Sequence, residues 1–161
     1  MCEDVVARAH KGGAIVIVND RADIAKLSAA DGVHVGQDDL DPASARRILG
    51  GASIVGVSTH TEDQVRAAAS TSVDYIAVGP IFGTSTKDTG CRDMGTAFVS
   101  GAANILRDTG SAKPLVAIGG MTLERAPEVI RAGAASVAVI SDLLSTGNPE
   151  ARVREYLRVL R

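Results

Sequence analysis

Six short aliphatic runs, separated by stretches with helical character, restrict the folds open to this chain more than any other feature. They lie at 14–18, 32–35, 53–57, 75–78, 115–118 and 136–140. Each is apolar over most of its length, as a strand is when both of its faces are covered. Helices are expected over 1–11, 21–30, 42–49, 61–72, 96–109, 122–132 and 149–160. Val5, Val6 and Ala9 are read as one face of the first, and Ile24, Ala25 and Leu27 as the inward side of the second. Asp41-Pro42 offers an N-cap followed by proline at the first helical position, and Thr61 with Gln64 makes a capping box.

This alternation specifies an α/β fold, a parallel sheet covered by helices. A doubly wound sheet and a (β/α) barrel both satisfy it. Two features favour the barrel. The chain has no Gly-x-Gly-x-x-Gly fingerprint, and its candidate functional residues follow all six strands instead of clustering at one switch point. A complete (β/α)8 barrel takes eight units and typically about 250 residues. The 161 residues here read as one domain, 1–161, of six units. The expectation is therefore a barrel short of two units, with its first and last strands available for pairing with a second copy.

Composition excludes several classes of function. The net charge is −2 with Lys and Arg scattered, and aromatics make up 2%, so neither a basic footprint nor a stacking platform for nucleic acid is present. The run at 14–18 is too short to span a membrane. Glu3 and Asp4 near the start, without an apolar core, give no export signal. Cys2 and Cys91 lack metal-binding spacing, which points to a reducing cytoplasm.

The candidate chemistry follows the strands. After the fourth comes the one long loop, Gly79-Pro80-Ile81-Phe82-Gly83-Thr84-Ser85-Thr86-Lys87-Asp88-Thr89-Gly90. Its backbone amides, hydroxyls and single lysine suit an anion. Asn19-Asp20 ends the first strand and Gln37-Asp38-Asp39 the second. Carboxylates on neighbouring strand ends can share one hard cation, and Mg²⁺ takes few carboxylates together with phosphate oxygens. Asp20 serves equally well as a cap for the helix after it, and Asp38 reads as solvated. Ser58 ends the third strand. Gly119-Gly120 and Ile140-Ser141 end the last two, where many barrels hold a phosphate monoester. No Ser/His/Asp triad is assignable. His34 reads as a satisfied core histidine and His60 as a residue at a helix entry.

In order and spacing, Ile17 to Arg21, Gly32 to Asp39, Gly56 to His60, the Gly79 to Gly90 loop and Ile118 to Met121 resemble the thiamine phosphate synthase family over nearly the whole chain. The resemblance implies a (β/α)8 barrel and a cytoplasmic transferase of thiamine biosynthesis. Such an enzyme couples 4-amino-2-methyl-5-hydroxymethylpyrimidine diphosphate to a thiazole phosphate and releases pyrophosphate. It implies Mg²⁺ on Asp20 and Asp39, the pyrimidine diphosphate held by Asn19, Ser58 and Lys87, and the thiazole phosphate held by Thr84, Ser85, Thr86, Gly120, Ile140 and Ser141. Lys87 and Ser58 are the expected catalytic residues. Two departures stand out. Gly83 occupies a position where relatives commonly have proline. The family's Gln-x-Arg-x-Lys segment is missing from this sequence, which implies that the chain begins in the helix after the second barrel strand. Two other readings remain open here: a thiazole tautomerase of similar sequence, and a non-catalytic fragment that binds thiazole phosphate.

Overall fold

The computed structural model describes residues 1–83 and 93–160. Helix α1 (Cys2–Lys11) leads into β1 (Ile17–Asn19), α2 (Ala22–Leu27), β2 (Gly32–Val35), α3 (Pro42–Leu49), β3 (Ile54–Thr59), α4 (Glu62–Ala69) and β4 (Tyr75–Val78). After β4 come α5 (Gly95–Asp108), β5 (Leu115–Ile118), α6 (Ala126–Arg131), β6 (Ser136–Ala138), α7 (Ser141–Leu144) and α8 (Pro149–Val159). All six strands pair in parallel in the order β1-β2-β3-β4-β5-β6. That order never reverses, so the sheet has no switch point of the doubly wound kind. With successive strands as neighbours throughout, crossovers of the usual right hand put the helices on one face, which is barrel architecture over six strands. Among the described residues, β1 and β6 each pair on one side only.

The two faces of the sheet differ because side chains alternate along a strand. Val33, Val35, Val55, Val57, Ile76 and Val78 point toward the helices and are buried. They pack with Ala25, Ala45, Val65, Val99, Ala102 and Val129 in one core, where small helix residues let the helices approach the sheet closely. The opposite face is only half covered and carries polar groups. A single row crosses it: Asn19 pairs with His34, His34 with Gly56, and Gly56 with Tyr75. Glycine is required in that row. A Cβ on Gly56 would sit 2.0 Å from the Tyr75 ring carbon Cζ, so the ring lies flat across the space a side chain would fill.

At the N-terminal edge of the strands, carboxylates join neighbours. The Asp31 carboxylate accepts from the Val16 amide at 2.6 Å, and that of Asp74 from the Val55 amide at 2.7 Å. Arg46 donates to the same Asp74 oxygen at 2.6 Å.

Several sequence expectations need correction. The first strand starts at Ile17 instead of Ala14, because its ladder begins where Ile17 meets Gly32. The third continues through Ser58 to Thr59, paired with Ala77 and Val78. The sixth stops at Ala138, where its pairing with Ile118 ends. Leu27 is exposed, since it lies two residues beyond buried Ala25 and so on the far side of α2. Val5 is exposed for the related reason that its neighbour Val6 holds the inward position. The Asp41 cap stands, accepting from the Ser44 amide at 2.9 Å. Thr61 caps α4, but the return bond from Gln64 reaches the His60 amide, one residue earlier than in the usual box.

Gly56→Ala is expected to destabilise the protein by about 2 kcal/mol through overpacking against Tyr75. Adding Tyr75→Ala should recover part of that loss, so the pair falls short of additive in urea denaturation. Additive losses would mean that the ring does not occupy this space.

Candidate functional site

The C-terminal ends of all six strands open into one cavity of about 760 Å³. It gathers Asn19 and Asp20 from the end of β1, Asp38 and Asp39 from the loop after β2, and Ser58 from β3. Gly120 comes from beyond β5, and Ile140 and Ser141 from beyond β6. Thr84, Ser85, Thr86 and Lys87 lie outside the described residues.

Asp20 sits at φ 65°, in the left-handed region that Asp tolerates better than most residues. Its amide extends the ladder by donating to the His34 carbonyl at 2.7 Å. The helix cap expected at this position falls instead on Arg21, which makes no side-chain capping bond. Strain of this kind is found preferentially at functional sites. On the next strand end, the Gly36 amide donates to Asp39 Oδ2 at 2.8 Å, closing a tight loop that brings the carboxylate to the cavity. Gln37 Nε2 donates to the Ser58 carbonyl at 2.6 Å and ties that loop to β3.

His34 is not the core histidine read from sequence; it is half-buried in the cavity wall. Its Nδ1 lies 2.8 Å from Tyr75 Oη and its Nε2 2.8 Å from Ser58 Oγ. The imidazole stacks on the Tyr75 ring with centroids 5.5 Å apart. Burial pushes the Tyr75 hydroxyl up to about 12, so it keeps its proton at neutral pH. His60, beside the N-cap of α4, also faces the cavity. Its Nδ1 is 2.5 Å from the Gly79 carbonyl, which can only accept, so that nitrogen carries the proton.

Gly119 and Gly120 have φ 97° and 58°. A Cβ on Gly119 would meet Pro80 Cα at 2.6 Å, and one on Gly120 would meet the Gly83 carbonyl oxygen at 2.5 Å. The two glycines therefore let the end of β5 pack against the start of the long loop, and both line the cavity. Arg125 donates to the Gly120 carbonyl at 2.8 Å while its guanidinium lies over the Phe82 ring, 4.6 Å from the centroid. After β6 the chain turns at once into α7, a four-residue helix starting at Ser141 that the sequence pattern did not suggest. Asp142 anchors it. The buried carboxylate accepts from Arg152 at 2.9 and 3.0 Å and from the Tyr156 hydroxyl at 2.6 Å. These bonds, with Arg152 first, hold its pKa below the ordinary 3.8.

Sequence reasoning thus found the cavity's carboxylates, serine and glycines but missed the Tyr75-His34-Ser58 chain, Gln37, His60 and the Asp142 clasp. Register alone could have found the first of these. Pairing the six strands in phase puts His34, Gly56 and Tyr75 in one row, with Ser58 two residues on along the same face.

Residues 1–143 match the family described as thiamine monophosphate synthase. A thiamine-phosphate synthase of Chlorobium luteolum is 41% identical over 160 residues, covering 99% of this chain and 73% of that protein. One from Koribacter versatilis is 45% identical over 145 residues, covering 90% of this chain and 65% of the relative. The solved thiamine phosphate pyrophosphorylase of Pyrococcus furiosus superposes with a TM-score of 0.86 at 25% identity, over 99% of this chain and 73% of that one.

Asp142→Asn should cost about 2 kcal/mol at pH 7, because Arg152 and Tyr156 lose a charged acceptor. The depressed native pKa means that the carboxylate stabilises the fold at pH values above its unfolded pKa, and that this contribution is lost as pH falls through the native value. The gap between variant and native protein should therefore begin to narrow as pH falls below about 4 in urea titrations. A constant gap down to pH 2 would contradict the clasp.

Proposed function

The chain belongs to the thiamine monophosphate synthase family, transferases of thiamine biosynthesis, and on that premise we propose that it joins the pyrimidine diphosphate to a thiazole phosphate. The products are thiamine phosphate and pyrophosphate. The observation that carries this reading is the cavity itself, which is lined from the C-terminal ends of all six strands and holds Asn19, Asp20, Asp39, Ser58, Gly120 and Ser141.

The reaction is read as dissociative. Pyrophosphate departs from a pyrimidinylmethyl carbon whose cation the ring stabilises, and the thiazole nitrogen captures that carbon. Such a path asks the protein for charge neutralisation and alignment more than for a strong base. Asn19 and Ser58 are assigned to the pyrimidine diphosphate, with Lys87 supplying positive charge to the leaving group. Gly120, Ile140 and Ser141, together with Thr84, Ser85 and Thr86, are assigned to the thiazole phosphate. The place of Gly119 and Gly120 in the cavity wall supports this division, since glycine lets backbone amides come close to an oxyanion.

Asp20 and Asp39 are assigned to Mg²⁺. In support, both carboxylates face the same cavity from adjacent strand ends. Mg²⁺ suits such a site, since it takes one or two carboxylates together with water and phosphate oxygens. When bound, the ion neutralises charge on the diphosphate. The cytoplasm is the compartment proposed, on the strength of the two cysteines without metal-binding spacing. The strand edges β1 and β6 are proposed as the places where two copies would associate.

The test is thiamine phosphate formation by the purified chain with and without Mg²⁺. Asp39→Asn is expected to lower turnover at least about tenfold and to raise the Mg²⁺ requirement, with thiazole phosphate binding unchanged. Normal Mg²⁺ dependence in that variant would remove Asp39 from the cation site. Lys87→Ala should reduce turnover about a hundredfold, and unchanged kinetics would take Lys87 out of the mechanism. Folded protein that yields no product with Mg²⁺ would refute the activity for this chain.

A further inference from the structure

The side chains behind Ser58 form a connected set that the reaction as described does not use. Tyr75 Oη, the two nitrogens of His34 and Ser58 Oγ are linked in sequence, with both hydrogen bonds at 2.8 Å. We propose that His34, with its tautomer fixed by Tyr75, is a positioning residue that makes Ser58 a hydrogen-bond donor toward the pyrimidine diphosphate. The inference rests on the assignment of Ser58 to that substrate.

A neutral imidazole has one donor nitrogen and one acceptor, so the two bonds cannot be chosen independently. A phenol is a far stronger acid than an imidazole N–H, and an imidazole nitrogen a far stronger base than a phenol oxygen. The favoured arrangement has the Tyr75 hydroxyl donating to Nδ1. The raised pKa of Tyr75 keeps that proton in place across the physiological range. Nε2 then carries the imidazole proton and donates to Ser58 Oγ. With its lone pair taken from behind, Ser58 turns its own proton to the cavity, where phosphate oxygens are acceptors. In the opposite arrangement Ser58 would donate into the wall and offer the substrate only lone pairs, which repel an anion.

The fold holds this arrangement firmly. Gly56 leaves the space that the Tyr75 ring fills, the imidazole stacks on that ring, and Gln37 ties the Ser58 carbonyl to the loop after β2. Three elements of the sheet therefore set the direction of one hydroxyl proton.

Long-range ¹H–¹⁵N NMR of the labelled native chain at pH 8 reads the tautomer directly. With three histidines in the sequence, the His34 signals are assigned by their loss in His34→Gln. The expected result is a protonated Nε2 and a bare Nδ1, with Tyr75→Phe shifting both nitrogens toward a tautomer mixture. A proton on Nδ1 in the native protein, or an imidazolium, would overturn the proposal. Calorimetry gives the functional arm without requiring turnover. Tyr75→Phe should weaken pyrimidine diphosphate binding about tenfold, yet change it less than about twofold when Ser58 is already Ala. Equal losses in both backgrounds would show that Tyr75 acts by packing alone and would overturn the relay. Absence of thiamine phosphate formation would count against the reaction assigned above, while the tautomer and the binding cycle judge the relay separately.

Discussion

Unbroken parallel pairing from β1 to β6 is the constraint on which the rest of this structure depends. Because each strand runs the same way as its neighbour, all six C-terminal ends reach one edge, and the described residues just beyond them line a shared cavity. Because the order never doubles back, helices cover one face and leave the other to residues that need not be apolar. The row from Asn19 through His34 and Gly56 to Tyr75 exists only under that pairing. A slip of one residue in β3 would replace Gly56 with a valine and shut out the Tyr75 ring.

The two edges of the sheet use the same residue type for opposite purposes. At the N-terminal edge, Asp31 and Asp74 spend their carboxylates on backbone amides of the adjacent strand, with His10 and Arg46 beside them. The Val16 amide and His10 hold the Asp31 pKa below its ordinary value, as expected of a carboxylate that is part of the framework. At the C-terminal edge, Asp20 and Asp39 open into the cavity from a left-handed residue and a tight loop. Barrel folds in general place stability at the first edge and chemistry at the second.

Much of this was legible in the sequence, and the boundary of legibility has a physical cause. The strands declared themselves because buried parallel strands are continuous aliphatic runs, and the Asp41 and Thr61 caps because capping is local chemistry. The residues that line the cavity at the strand ends followed from topology and from motif resemblance. Side-chain roles that depend on register were hidden. Nothing in the neighbourhood of His34 in sequence announces that Tyr75, 41 residues away, will meet its ring. The Asp142 clasp depends in the same way on α8 folding back over α7, and Leu27 was misplaced because an apolar residue at a helix end need not face inward.

The central claim is that substrates sit on the C-terminal edge of this sheet and not on its N-terminal edge or its helices. Amide chemical-shift mapping with thiamine phosphate as the added ligand tests it most directly. Saturable shifts should concentrate at Asn19, Gln37, Ser58, Gly119 and Gly120, with Asp31, Asp74 and the outer helix faces unmoved. Saturable shifts confined to the Asp31 and Asp74 edge, or none at the strand ends at ligand concentrations in the millimolar range, would contradict the account.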